Sequence, residues 1–293
     1  MPVLRTPDER FEDLPGFPFA PQYVELDGLR MHYVDEGPRD AVATALCLHG
    51  QPTWSYLYRK MIPVFTGAGL RVVAPDWFGF GRSDKPVDDA WYTFDAHRRS
   101  ALQFIEHLDL QEILLVVQDW GGLIGLTLPM AMRERFTRLL IMNTALGTGR
   151  VTDGFRQWRD YANSQPDLAV GKLMQRTTPI LSDAEAAAYD APFPDATYKA
   201  GVRRFPNLVP DHDDAPGAAL SREAAAFWKD DWRGDSFMAI GMQDPVLGPP
   251  VMQSMRRLIR GCPAPLEVAE GGHFVQEHGQ PIAAAALRHF GLA

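Results

Sequence analysis

The sequence predicts an α/β fold: a mainly parallel sheet with helices on both faces, interrupted by a helical insertion that caps it. Three observations carry this. Short apolar runs at 45–48, 71–74, 113–118, 138–142, 236–241 and 265–269 have the length and near-continuous apolarity of strands buried on both faces. Helical patterns lie between them, as crossovers between parallel strands require. Strand signals stop between about residues 147 and 215 and then resume, so that segment is an insertion and not a tail.

Taken in order, 29–37 (LRMHYVDEG) alternates apolar and polar residues and reads as an early antiparallel strand. The apolar runs follow, with helices expected over 94–108 and 121–135. A final Ala-rich helix is expected over 282–290, just after Pro281, whose fixed φ suits a first turn. In the insertion, VTDGFRQWRDYA, PDLAVGKLMQR, SDAEAAAYDA and DATYKAGVRRF read as short helices separated by Pro or Gly. The expected division is a first core segment 1–146, a helical cap 147–215 and a second core segment 216–293.

Composition narrows the function classes. The net charge of −8 with no basic run argues against a nucleic-acid surface. No apolar run reaches the ~18 residues a membrane helix needs, and the start lacks a basic segment followed by an apolar one. A cytoplasmic chain with no membrane partner is expected. Cys47 and Cys262 form neither metal spacing nor a disulfide framework, and Cys47, in TALCLHG, reads as a small buried hydrophobe. No metal, no cofactor and a monomeric state are expected.

The most informative stretch is ILLVVQDWGGLIGL. An apolar strand ends at Gln118 and helix-forming sequence begins within two residues, with Gly121 and Gly122 leaving room for a sharp turn. This is the context of the nucleophile elbow of α/β-hydrolases, with Asp119 where serine usually stands and Val117 replacing the usual small residue. Taken alone, Asp119 also reads as an ordinary helix cap. A carboxylate nucleophile suits displacement at an sp3 carbon. It forms an ester that water can reopen, and it is ionised near neutral pH without a base.

The partners follow in the chain order of that fold. Asp244 ends the apolar run SFMAIGMQD, and His273 ends PLEVAEGGH, both just past the carboxyl ends of late strands, where open α/β sheets gather their sites. His273 would activate water, and Asp244 would orient and stabilise the imidazolium. Asn143, at the alternative acid position after 138–142, has no acid function. The backbone N–H groups of Gln51 and Trp120 are candidates for an oxyanion hole. His49 reads as a brace for its loop, Asp76 and Ser83 as loop-fixing residues, and His97, His107 and His278 as surface histidines. The Gly-rich APDWFGFGRSDKP lacks the Lys-Ser/Thr of a phosphate loop.

HGQPTWSYLYR, PDWFGFGRSDKP, VQDWGG, DGFRQW, APFPD, KAGVRRFP, GMQDPVLGP and GGHFVQE together resemble the haloalkane dehalogenases, in particular the subfamily of the dichloroethane-degrading enzyme. The similarity spans nearly the whole chain. It implies attack by Asp119 on a halogen-bearing carbon of a small aliphatic substrate, release of halide, and hydrolysis of the alkyl ester by water activated at His273. It also implies that the indoles of Trp120 and Trp158 hold the halide, and that Phe155, Phe205, Pro206, Val209 and Leu247 line an apolar substrate pocket. Two departures from that enzyme stand out: Gln51 replaces a glutamate, and the segment between Asn143 and Phe155 is shorter. The shorter segment leads us to expect a roomier pocket favouring longer or brominated substrates.

An epoxide hydrolase shares the Asp-His-Asp core and uses cap tyrosines, for which Tyr161, Tyr189 and Tyr198 are candidates. Trp120 beside the nucleophile argues against it, and against fluoroacetate-type dehalogenases, which have arginine there. A catalytically silent relative used as a ligand binder would be expected to lack a member of the Asp-His-Asp set, and none is missing.

Overall fold

The computed structural model describes residues 2–293. A small antiparallel ribbon joins β1 (Val3–Leu4) to β6 (Lys85–Pro86). The main sheet comprises β2 (Gln22–Leu26), β3 (Leu29–Glu36), β4 (Thr44–Leu48), β5 (Arg71–Pro75), β7 (Ile113–Val117), β8 (Phe136–Met142), β9 (Asp235–Gly241) and β10 (Leu266–Val268). Their spatial order is β10-β9-β8-β7-β4-β5-β3-β2. Pairing is parallel from β10 to β5 and antiparallel where β3 meets β5 and β2. Every residue of β4 and β7 is buried, which explains why these strands read as unbroken apolar runs.

Core helices are α1 (Ile62–Gly67), α2 (Phe94–His107), α3 (Trp120–Gly125), α9 (Pro249–Leu258) and α10 (Gly279–Phe290). The Thr93 hydroxyl caps α2 by accepting from the Ala96 N–H, and Gly291 ends α10 in the left-handed region at φ 66°. Between β8 and β9 the described residues contain no strand. That stretch holds α4 (Asp153–Asn163), α5 (Val170–Thr177), α6 (Asp183–Ala188), α7 (Ala200–Arg204) and α8 (Ala218–Ala226). A reciprocal Ser182–Glu185 capping box starts α6.

One expectation fails locally. The helix read over 121–135 covers only Trp120–Gly125, and 3-residue turns follow, such as Thr127 N–H to Ile124 O and Leu128 N–H to Gly125 O. Pro129 has no N–H for an α-helical bond, and three glycines precede it, so nothing sustains the helix.

The inserted helices are not packed as a separate body. Leu173, Met174, Tyr189, Phe193 and Phe205 belong to the same continuous apolar core as the sheet residues Leu48, Val117 and Ile141. Sheet and insertion therefore share one interior.

Candidate active site

Asp119 sits at the carboxyl end of β7 with φ 48° and ψ −124°, a conformation costing a non-glycine residue about 1–3 kcal/mol. Its N–H donates to Asn143 O at 3.0 Å, and its carbonyl accepts from Thr144 Oγ1 at 2.7 Å and from the Gly122 and Leu123 N–H groups at 3.0 and 2.9 Å. The turn is possible because three neighbours lack a side chain. A Cβ at Gly50 would lie 2.5 Å from Asp119 Oδ2, one at Gly121 1.8 Å from Leu48 O, and one at Gly122 2.1 Å from Thr144 Oγ1. Gly121→Ala would press on backbone, which yields little. We expect it to lose roughly 3 kcal/mol of stability. An unchanged melting temperature would contradict this packing.

The elbow brings the three sequence-identified groups together. His273 Nδ1 lies 2.8 Å from Asp244 Oδ2, and His273 Nε2 lies 3.6 Å from Asp119 Oδ1. Burial of His273 disfavours its charged form, but Asp244 and then Asp119 outweigh this and push its pKa up to about 10. Asp244 is buried, which disfavours its charge; contact with His273 and the N–H groups of Val246 and Leu247, at 2.8 and 3.1 Å, holds it below the usual carboxylate range. The Gln51 N–H donates to Asp119 Oδ2 at 2.8 Å, while the Gln51 side-chain amide is committed to Val202 O at 3.0 Å. The Trp120 N–H, first of α3, has no backbone acceptor among the described residues.

A cavity of about 510 Å3 opens onto Asp119, His273, Gln51, Trp120, Phe155 and Trp158, with Leu173, Arg176 and Pro179 on its insertion side. A second, about 260 Å3, also reaches Asp119 and Phe155 and is lined by Leu123, Val209 and Leu247. Of the remaining pocket candidates, Phe205 and Pro206 are buried; Phe205 packs its ring on Trp120 at 4.6 Å instead of lining either cavity. Six of the seven indoles divide by their contacts, while Trp91 lines neither cavity and has no acceptor among the described residues. Trp54, Trp77, Trp228 and Trp232 donate to Ala188 O, His49 O, Leu126 O and Ser236 Oγ. The Trp120 and Trp158 indoles line the larger cavity without a protein acceptor among the described residues.

Other candidates resolve differently. His49 is fully buried; its Nδ1–H donates to Gly50 O at 2.9 Å and its Nε2 accepts from the Trp77 N–H at 3.0 Å, which braces the loop. Asp76 accepts from Ser55 N–H, Arg82 N–H and His32, and Ser83 donates to Asp76 O, so both organise the Gly-rich loop. His97 is a correction. It is not on the surface but fully buried, stacked with Tyr92 and edge-on to Trp77, Trp91 and Phe205. Neither ring nitrogen has a partner among the described residues, and burial followed by the proximity of His49 lowers its pKa to about 3. The physical reason lies in α2, where His97 falls on the inward stripe with Phe94, Ala101 and Phe104.

Sequence reasoning missed two supports. Asn143 is no acid, but its amide donates to Asp244 Oδ2 at 3.0 Å and its side-chain carbonyl accepts from the Gly241 N–H at 2.7 Å, fixing the strand end that carries Asp244. The Gln118 amide donates to His273 O at 2.9 Å, tying the residue before Asp119 to the loop bearing the histidine. Polar residues at the carboxyl ends of otherwise apolar strands are the sequence signal for both.

The chain is also similar to known proteins along most of its length. The family model of the alpha/beta hydrolase fold matches residues 46–280. A haloalkane dehalogenase of Psychrobacter cryohalolentis is 45% identical over 97% of this chain and 96% of its own. One from Mycobacterium marinum is 44% identical, over 96% of this chain and 97% of its own. The tetrameric haloalkane dehalogenase DpaA of Paraglaciecola agarilytica superposes with a TM-score of 0.97 at 51% identity, covering 99% of each chain.

Proposed function

Because this chain belongs to the haloalkane dehalogenases of the α/β-hydrolase fold, we propose that Asp119, His273 and Asp244 divide its hydrolysis of carbon–halogen bonds into two steps. Asp119 displaces halide in line, forming an alkyl ester, while Trp120 and Trp158 donate their indole N–H groups to the departing anion. His273 then removes a proton from water as the water attacks the ester carbonyl, and Asp244 carries the resulting imidazolium. The N–H of Gln51 already holds Asp119 Oδ2, so it and the Trp120 N–H are the donors for the oxyanion. The observation that carries the assignment of roles is that two indole donors without a protein acceptor among the described residues line one cavity with Asp119. An acceptor-free donor pair suits an anion.

The epoxide alternative finds no support at the site. None of Tyr161, Tyr189 and Tyr198 lines the cavity; Tyr161 packs beside Trp158, and Tyr189 bonds to Glu277. Halide release from 1,2-dibromoethane or 1-bromobutane, with styrene oxide as contrast, tests this. Opening of styrene oxide without halide release would overturn the proposal.

The two cavities meeting at Asp119 support a preference for longer or brominated substrates over dichloroethane. A chain-length series with best turnover on two-carbon chlorides would refute it. We read residues 147–215 as the cap, a cytoplasmic location from the two free thiols, and a single chain as the working unit. No helix among the described residues is long and apolar enough to cross a membrane. Sedimentation separates a monomer from a tetramer like that of DpaA.

The charges at His273 also set a pH response. In the resting site two carboxylates hold its pKa up at about 10, so the imidazole is protonated. Ester formation removes the charge of Asp119 and with it part of that pull, so His273 gives up its proton more readily when a base is needed. Alkylation should therefore be flat between about pH 6 and 9 while ester hydrolysis accelerates as pH rises. Single-turnover halide release and steady-state turnover, measured across this range, separate the two; parallel profiles would contradict the scheme. The sign for folding is opposite. With a folded pKa raised above 6.5, the stability contribution of His273 is complete below pH 6.5 and is lost as pH rises towards about 10.

A further inference from the structure

The loop that carries His273 runs directly into a short 3-10 turn, Val275–His278, whose Glu277 points into a buried charge cluster. Arg59 grips Glu277 with both ends of its guanidinium, Nη1 to Oε1 at 2.6 Å and Nη2 to Oε2 at 2.8 Å. The same Nη2 reaches Glu185 Oε1 at 2.7 Å, Lys60 Nζ lies 2.9 Å from Glu277 Oε2, and the Tyr189 hydroxyl donates to Glu277 Oε1. Arg59 and Glu277 are each 3% exposed, and two cations face two carboxylates, so the cluster is neutral as a whole. The burial of Tyr189, and next its Glu277 neighbour, keep its hydroxyl protonated as a donor.

The partners come from three places. Arg59 and Lys60 follow the loop after β4, Glu185 and Tyr189 belong to α6 and its end, and Glu277 lies four residues beyond the histidine. A second tie runs alongside: the Gln118 amide donates to His273 O at 2.9 Å, and the Gln276 amide donates to Gln118 Oε1 at 3.3 Å. The 3-10 turn is thus held from the core and from the insertion at once, whereas the His273 ring itself has polar contacts among the described residues only to Asp244 and Asp119.

We propose that the Arg59–Glu277 ion pair, closed from the insertion by Tyr189 and Glu185, is the anchor that positions His273 for hydrolysis of the alkyl ester. These are positioning residues, since none touches the reacting atoms. A fully bidentate pair fixes angle as well as distance, which a lone hydrogen bond does not. Hydrolysis depends on Nε2 meeting a water and an ester carbonyl together, whereas displacement needs only Asp119 and the halide donors. Loss of the anchor therefore falls on the second step. The inference rests on the reading of His273 as the base for that step.

The test is a double variant, Arg59→Met with Glu277→Met, since a buried pair replaced on both sides by apolar residues of similar size keeps the fold more readily than a pair broken on one side. Lys60 and Glu185 remain to balance each other. With 1-bromobutane, the first equivalent of bromide should appear within about twofold of the wild-type rate, followed by steady-state turnover reduced ~10-fold or more. Tyr189→Phe, which removes a single hydroxyl, should show a smaller loss confined to the same step, and it decides the question if the double variant does not fold. Both steps slowed in parallel, or hydrolysis unchanged in a folded variant, would overturn the anchor. His273→Gln run beside them keeps the two readings apart: if it turns over normally, the base assignment has failed, whatever the anchor variants do.

Discussion

Replacing His273 by glutamine should stop the enzyme after one chemical event, with one halide released per chain and an alkyl group left on Asp119. In the proposed scheme the displacement does not use the imidazole, and Asp119 keeps its Gln51 N–H contact at 2.8 Å. Water attack on the ester loses its base, for which general-base catalysis contributes about 10²–10⁴-fold. Glutamine is close in size and leaves Asp244 its bonds to Asn143, Val246 and Leu247. Intact-mass measurement after brief exposure to 1-bromobutane should show the adduct, and peptide mapping should place it on Asp119. Normal turnover, or an adduct elsewhere, would sink the two-step scheme.

Loss of an indole donor should act on the other half of the reaction. Trp158→Phe keeps an aromatic ring at the cavity wall but removes an N–H that has no acceptor among the described residues. By analogy with a deleted oxyanion donor, alkylation should slow ~10²-fold. Because Trp158 is only partly buried and lies on α4, little change in stability is expected. Trp120→Phe should do the same to alkylation and also disturb packing, since Phe205 and Phe94 rest on that ring at 4.6 and 6.5 Å. Rapid-quench measurement of the first halide equivalent reads the step directly. If both variants released it at the wild-type rate, the halide would have to be stabilised by other groups. The two families of variants are thus expected to fail in opposite ways: His273→Gln with ester present, Trp158→Phe without it.

The sheet was legible because its strands are buried on both faces, so apolar runs alone mark them, and the elbow at Asp119 showed itself by an aspartate between such a run and a pair of glycines. Asp244 and His273 were legible from chain order and from their place at strand ends. What escaped is non-local. The support Asn143 gives Asp244 spans 101 residues and that of Gln118 for His273 spans 155, and no periodicity encodes such pairings. His97 was misread because the charges at Asp95, Arg98 and Arg99 flank it in sequence; on the helix they sit on other faces, and the stripe through Phe94 and Ala101 is the better guide. The helix over 121–135 was overextended because apolar spacing continues through Leu126 and Leu128 while Pro129 and the glycines remove the backbone support. Phe205 was expected in the pocket wall but stands behind it, a difference of one packing layer that sequence does not specify.

The order of the sheet has a consequence for how the protein comes into being. Asp119, the proposed nucleophile, follows β7 in the middle of the sheet, and Trp120 and Trp158 precede residue 160, whereas His273, the proposed base, follows β10 at one edge. Synthesis proceeds from the amino end, so everything needed to form the ester is made before the group that clears it. The last strand to be synthesised is therefore followed by the residue that, in the proposed scheme, turns a single-use alkyl acceptor into a catalyst.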